Sequence, residues 1–258
     1  MRGSREGPVS ETTEGAVVVG GASGIGAAVV ERLRAEAVPV VVWDVAGEPD
    51  VRCDITDAGA IDDATVTTIE LIGVPRWVTV CAGVGHAGML LDVGADEWDR
   101  VMHVNARGPW LVMRSLAARM IDVGVRGSLV ATSSVSSRLV DRSMGAYCAS
   151  KAALDILVRV AAFEWGSAGL RVNAVGPGVT RTPMLGPLPT DTGWLADVAH
   201  RTPLGRLGEA DEVAAAIVAL HGLEWVTGQV LDADGGLSLH SPIDSYGSWA
   251  RPAEGHGR

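Results

Sequence analysis

Apolar and polar positions along the chain switch between two spacings, and the switches mark out its elements. Gly15 to Val19 is a short apolar run, and Ile25 to Ala37 follows with the spacing of a helix. Val38 to Trp43 and Val51 to Cys53 are further apolar runs, and Ala58 to Ile72 returns to helical spacing. The same reading gives strands at Trp77 to Val80, Ser128 to Thr132, Leu170 to Val175 and Gln229 to Asp232. It gives helices at Asp96 to Val123, Gly145 to Trp165 and Asp211 to Leu220. Short valine-rich strands separated by helices predict a parallel sheet buried on both faces. No internal repeat or low-complexity linker interrupts the alternation. The pattern predicts one α/β domain, a doubly wound parallel sheet with helices on both sides.

Two kinds of stretch break the alternation. Thr182 to Leu207 holds Pro183, Pro187, Pro189 and Pro203 and is long for a loop in a compact domain, which marks it as a substrate lid. Residues 1–14 and 241–258 have no periodicity and read as tails, leaving 15–240 as the domain. The first tail lacks the apolar segment of a secretory signal. Hydrophobic residues make up 47% of the chain, yet no run approaches the ~18 apolar residues of a membrane span. A net charge of -10 argues against nucleic acid or an anionic membrane as partner. Cys53, Cys81 and Cys148 are odd in number and lack CxxC spacing, and the histidines are scattered. No disulfide framework or metal site is expected, and a reducing cytoplasm fits best.

Lys151 is the only lysine in 258 residues; every other basic residue is arginine. Arginine is a fixed planar fork, whereas lysine is a compact ammonium with three rotatable donors. A lysine retained against that bias points to a task a guanidinium cannot perform. It follows Tyr147 by four positions, so on a helix the two share a face. A cation there is expected to favour the phenolate and draw the tyrosine below its ordinary value of about 10. That would make Tyr147 a general acid/base.

A second constellation lies near the N-terminus. Gly20, Gly24 and Gly26 fall where the first strand turns into the first helix. That spacing permits a tight turn, close approach of backbone to a pyrophosphate, and free helix N–H groups facing it. Asp44 ends the second strand, twenty residues after Gly24. A carboxylate there accepts hydrogen bonds from the adenosine ribose hydroxyls and repels a 2′-phosphate, so NAD is expected rather than NADP.

With both constellations in hand, the chain resembles a short-chain dehydrogenase/reductase of the branch with a G-x-x-x-G-x-G turn and a Y-x-x-x-K helix. The likeness runs from about residue 15 to 238. It rests on the turn Gly20 to Gly26, Cys53-Asp54, Val80-Cys81-Ala82-Gly83, Asn105 and Ser133-Ser134. Asn173 to Gly178, Thr182-Pro183, Thr227-Gly228-Gln229 and Asp234-Gly235-Gly236 complete it. The resemblance implies a Rossmann-like fold, NAD as cofactor, a homotetramer paired through the two long helices, and an enzyme acting on CH–OH groups. It implies that Gly20, Ser23, Gly24, Ile25, Gly26, Asp44 and Asp54 hold the adenosine half of the cofactor. Ala82, Gly83, Pro177, Gly178, Val179 and Thr182 would hold the nicotinamide half with Tyr147 and Lys151. In the catalytic set, Tyr147 exchanges a proton with the substrate oxygen and Ser134 fixes that oxygen. Lys151 also reaches the nicotinamide ribose, and Asn105 holds a water linking Lys151 to solvent.

The departures from the family pattern are local. Val19 stands for a usual threonine and Cys81 for a usual asparagine, which puts the rigidity of the turn in question. The segment from Asp44 to Asp54 is short, so a more open adenine side is expected. Met144 and Met184 are expected substrate contacts, with Val84, Gly85, His86, Ser136, Leu139, Leu185 and Trp194 as further walls. This mostly apolar set suits a hydrophobic secondary alcohol or its ketone. A non-catalytic dinucleotide-binding sensor on the same fold is the alternative. A sugar-nucleotide epimerase would need a longer chain.

Overall fold

The computed structural model describes residues 15–186 and 193–239. The two tails, and the part of the expected lid at 187–192, lie outside the described residues.

The β-branched runs form strands because their side chains pack well on a pleated surface. In chain order they are β1 (Ala16–Val19), β2 (Val40–Asp44), β3 (Val51–Arg52), β4 (Trp77–Val80), β5 (Ser128–Thr132), β6 (Arg171–Pro177), β7 (Thr180–Arg181), β8 (Gly208–Glu209) and β9 (Val230–Ala233). The helices are α1 (Gly24–Ala35), α2 (Ala58–Ile72), α3 (Ala95–Met102), α4 (Gly108–Val123), α5 (Gly145–Trp165), α6 (Trp194–Arg201) and α7 (Ala210–Gly222). Seven strands make one parallel sheet in the order β3-β2-β1-β4-β5-β6-β9. The order reverses between β1 and β4, and in such sheets a crevice opens at the carboxyl ends of the strands at that point.

Alternation along each strand divides the core into two layers. Val17 and Val19 of β1 and Leu129 and Ala131 of β5 pack with Ile61 of α2, Leu116 of α4 and Leu154 of α5. Ala16, Val18 and Val130 face the other way, onto Val29 and Leu33 of α1 and Val213 and Ile217 of α7. Each valine, leucine or isoleucine among them, fully buried, contributes roughly 1.5–3 kcal/mol. Trp43 adds a polar anchor: its Nε1 donates to Thr68 Oγ1 at 2.8 Å, fixing α2 over β2.

Local signals account for several boundaries. Asp57 caps α2 by accepting from the Gly59 and Ala60 nitrogens. Pro109 stands in the first turn of α4, and Gly124 closes that helix with φ 74°. Glu209 and Glu212 form a capping box at the start of α7.

The structure differs from the expected elements in two places. The helix expected as continuous from Asp96 to Val123 is broken by a π-helical turn, His103–Arg107, between α3 and α4. The expected lid is not plain loop, since it carries α6. Its two ends are joined by the two-stranded ribbon of β7 and β8, where Thr180 pairs with Gly208 and Arg181 with Glu209. An ion pair, Arg181 Nε to Glu209 Oε1 at 3.2 Å, reinforces the ribbon. The segment between β2 and β3 carries no helix, as its shortness predicts.

Candidate active site

The cleft at the strand ends has a volume of about 1510 Å³. Its first half is built by the glycine turn. A Cβ at position 20, where φ is 77°, would lie 2.5 Å from the Ala82 nitrogen. One at position 26 would lie 2.0 Å from the Gly20 oxygen, so the turn closes only with glycine at both places. Ser23 begins α1 without a side-chain capping bond, and the first turn holds no acidic residue. The helix N-terminus therefore presents open N–H groups and positive potential to the cleft, which fits a pyrophosphate.

Asp44 both lines the cleft and builds it. Its Oδ2 accepts from the Ala22 nitrogen at 3.0 Å, and its Oδ1 from the nitrogens of Val45 at 2.8 Å and Ala46 at 3.1 Å. The Gly20 nitrogen donates to the Trp43 oxygen at 2.7 Å, and the Cys81 nitrogen to the Val19 oxygen at 2.7 Å. Backbone bonds and one carboxylate thus tie down the turn despite Val19 and Cys81. The Cys81 sulfur is occupied separately, accepting from Thr132 Oγ1 at 3.2 Å. Asp54 accepts from both the nitrogen and the hydroxyl of Thr56 and borders the cleft.

The second half gathers on α5 and the end of β5. Lys151 is buried, and its Nζ donates to the Thr132 oxygen at 2.9 Å and lies 5.8 Å from the centre of the Tyr147 ring. Burial pushes Lys151 down to about 8, against the opposing influence of Cys81 and Asp155. Tyr147 moves the other way from the sequence expectation. Burial raises it above 10, with the Ser134 hydroxyl beside it pulling back. The reason is desolvation, which disfavours the phenolate, while the Lys151 ammonium is directed at a backbone carbonyl. Ser134 is buried, and its Oγ accepts from the Ser136 nitrogen at 3.1 Å.

Asn105 lies in the π-helical turn, fully buried. Its Oδ1 accepts from the Val84 nitrogen at 2.8 Å, while Nδ2 donates to the Val84 oxygen at 2.9 Å and to Ser150 Oγ at 3.1 Å. The side chain is committed to clamping the segment after β4 against α5. A π-helical turn opens the regular ladder and commonly occurs at functional sites.

Every other candidate borders this one cleft: Gly20 and Ser23–Gly26, Ala82 and Gly83, Pro177–Val179 and Thr182, with Met144 and Met184. Asn105 stands just behind it, and His86 is turned away, its Nδ1 bonded to Glu97 Oε1 at 2.8 Å. Sequence reasoning missed Arg142 and Arg201, which also line the cleft. It also missed Ser133 Oγ donating to Asp155 Oδ1 at 2.5 Å. The available signal for the second was spacing, since Asp155 continues the four-residue interval from Tyr147 through Lys151.

Comparison with known proteins agrees with this geometry. Residues 20–238 match the family profile described as "Enoyl-(Acyl carrier protein) reductase". A 2,5-dichloro-2,5-cyclohexadiene-1,4-diol dehydrogenase of Sphingobium indicum is 36% identical over 86% of this chain and 96% of its own. A (3R)-3-hydroxyacyl-CoA dehydrogenase of Canis lupus familiaris is 32% identical over 87% of this chain and 96% of its own. The structure of Thermoplasma acidophilum aldohexose dehydrogenase superposes with a TM-score of 0.83 at 28% identity, covering 92% of this chain and 98% of that one. The chain belongs to the short-chain dehydrogenase/reductase family. It is an oxidoreductase acting on CH–OH groups of a small molecule, of a class that generally binds a nicotinamide dinucleotide. Among the described residues no helix is long and apolar enough to cross a membrane, and no cluster has the makings of a metal site.

Proposed function

We propose that the protein interconverts a hydrophobic secondary alcohol and its ketone with NAD(H) as cofactor. The observation that carries this reading is one cleft holding Ser134, Tyr147 and Lys151 at one end and the Asp44-braced turn at the other. The turn and the α1 N-terminus would hold the pyrophosphate, Asp44 the adenosine ribose, and Lys151 with Pro177–Val179 the nicotinamide half. When bound, the cofactor supplies or takes up the hydride at the substrate carbon.

This chain's residues manage the proton and the orientation. The Ser134 hydroxyl fixes the substrate oxygen. Tyr147 gives a proton to that oxygen in ketone reduction and takes it back in alcohol oxidation. Burial raises Tyr147 and so favours the phenol, the form that donates a proton in reduction. Lys151 supplies positive charge beside the phenol, fully so only below about 8. Asn105 keeps the segment carrying Gly83 against α5. Met144 and Leu139 would form the apolar wall, with Met184, Leu185 and Trp194 facing them from the lid. The diol and hydroxyacyl relatives are consistent with a secondary hydroxyl as the reacting group. Free Cys53, Cys81 and Cys148 favour a reducing cytoplasm, and the domain is proposed to span 15–240.

The test is a panel of secondary alcohols and ketones followed at the nicotinamide absorbance band, with fluorescence titration of NADH and NADPH. Turnover of apolar substrates and tighter NADH binding are expected. NADPH binding as tight as NADH would overturn the role of Asp44. Binding of either cofactor without turnover of any panel member would overturn the apolar secondary alcohol as substrate class.

A further inference from the structure

One face of α5 carries Tyr147, Lys151 and Asp155 at four-residue intervals. Each meets a different residue at the end of β5. Tyr147 stands beside Ser134, Lys151 bonds the Thr132 carbonyl at 2.9 Å, and Asp155 accepts from Ser133 Oγ at 2.5 Å. The first two pairs belong to the site already described. The third lies one helical turn deeper and has no part in proton or hydride transfer.

Asp155 is 5% exposed. A carboxylate in such a place is unfavourable unless it is paired and hydrogen-bonded. Its second oxygen faces Arg138 Nη1 at 4.0 Å. Arg138 directs its other terminal nitrogen onto both carboxylate oxygens of Asp232 on β9. Arg138 itself stands four residues after Ser134, at the end of the short helical turn Val135–Ser137. The cluster therefore joins α5, β9 and the segment leaving β5, and that segment carries Ser134.

We propose that Asp155 is a positioning residue. Braced by Arg138 against Asp232, its carboxylate holds Ser133 and so sets where the adjoining Ser134 hydroxyl stands relative to Tyr147. This rests on the catalytic reading of Ser134 and Tyr147 given above. A purely structural ion pair would stabilise the fold without touching the chemistry, and two features argue for more. The bond from Ser133 constrains the residue next to Ser134. The Asp155 charge also reaches Lys151, where it favours the ammonium, as does Cys81 from the end of β4. Tyr147 and Cys148 are the other ionisable groups within one turn of Lys151 on its own helix. The charged groups facing Asp155 are Lys151 and Arg138, with Asp232 beyond the guanidinium.

Two measurements on the full chain decide it. Asp155→Ala, Ser133→Ala and the double variant are compared in kcat, KM and NADH affinity, with thermal melts as folding control. Each single change is expected to lower kcat by about 10- to 100-fold, as displacement of a reacting group does. NADH affinity should stay within about two-fold, and the double variant should be no worse than the poorer single one, as coupled residues behave. Multiplying defects, or normal kcat with only a lowered melting temperature, would overturn the proposal. The second measurement needs no substrate. Because Lys151 is the sole lysine, ¹³Cε-lysine labelling gives a single side-chain resonance whose pH titration reads its ammonium directly. Asp155→Asn, which keeps the side chain's shape, should lower that midpoint relative to wild type, because the carboxylate favours the ammonium. An unmoved midpoint would also sink the idea. If wild-type protein turns over no substrate, the functional reading fails on its own, while the lysine titration still decides whether Asp155 governs this site.

Discussion

Lys151 shows how one side chain can be singled out by its exclusion elsewhere. Its ammonium points at the Thr132 carbonyl from a buried position under the Tyr147 ring. A guanidinium is larger, planar and never neutral, and it cannot take that place without displacing Tyr147 or the end of β5. Lys151→Arg should therefore lose at least ~100-fold in hydride transfer, the low end of a general acid/base contribution. Tyr147→Phe should lose at least as much while still binding NADH, because it removes one hydroxyl and leaves the glycine turn and Asp44 in place. The two defects should be far from additive, since the residues act as one unit. Steady-state rates of both variants and the double one check this, and a Lys151→Arg enzyme within a few-fold of wild type would contradict it.

Among elements, α7 gives a prediction about stability. His221 is buried there, its Nε2 2.8 Å from Thr79 Oγ1 and its ring stacked on Trp77 with centroids 5.5 Å apart. Burial pushes it down to about 3, with Arg171 adding to the effect. An unfolded histidine titrates near 6.5. Below that value the unfolded chain binds a proton the folded chain refuses, so this stability is complete above about 6.5 and lost as pH falls towards 3. The melting temperature should fall between pH 7 and 5, and His221→Gln should flatten that slope. An equal slope in the variant would remove His221 as the cause. This pairing was not legible in the sequence, because α7 and β4 are brought together only by the fold. What was legible follows the same logic. Valine-rich runs such as Val40–Asp44 show themselves locally, and Tyr147 and Lys151 share a face by spacing alone. By contrast α6 and the β7–β8 ribbon are short and hidden among prolines. The direction of the Tyr147 shift depends on burial, which spacing does not encode.

For the whole molecule, the exposed apolar residues set the expectation. Ile156, Val160 and Phe163 form a stripe on the outer face of α5, with Phe163 89% exposed, and Trp110 stands on α4. A stripe of this kind on a charged, acidic surface calls for cover, and these are the two helices through which the family resemblance predicts subunit pairing. A homotetramer is expected. Sedimentation at micromolar concentration should show a species near four times 26.7 kDa, and a stable monomer would refute it. Phe163→Glu should shift the equilibrium towards smaller species by placing a charge in the contact.

The π-helical turn at His103–Arg107 has a consequence for descent. A turn of this kind holds one residue more than an α-helix needs over the same rise. Asn105 owes its position to that surplus, which lets it face Val84 and Ser150 together. The feature is thus a matter of chain length, not of residue type. Removing one residue from the turn would give a more regular helix and rotate everything before it by about 100°. A protein could gain regularity that way and lose its site in the same step, leaving every remaining residue unchanged.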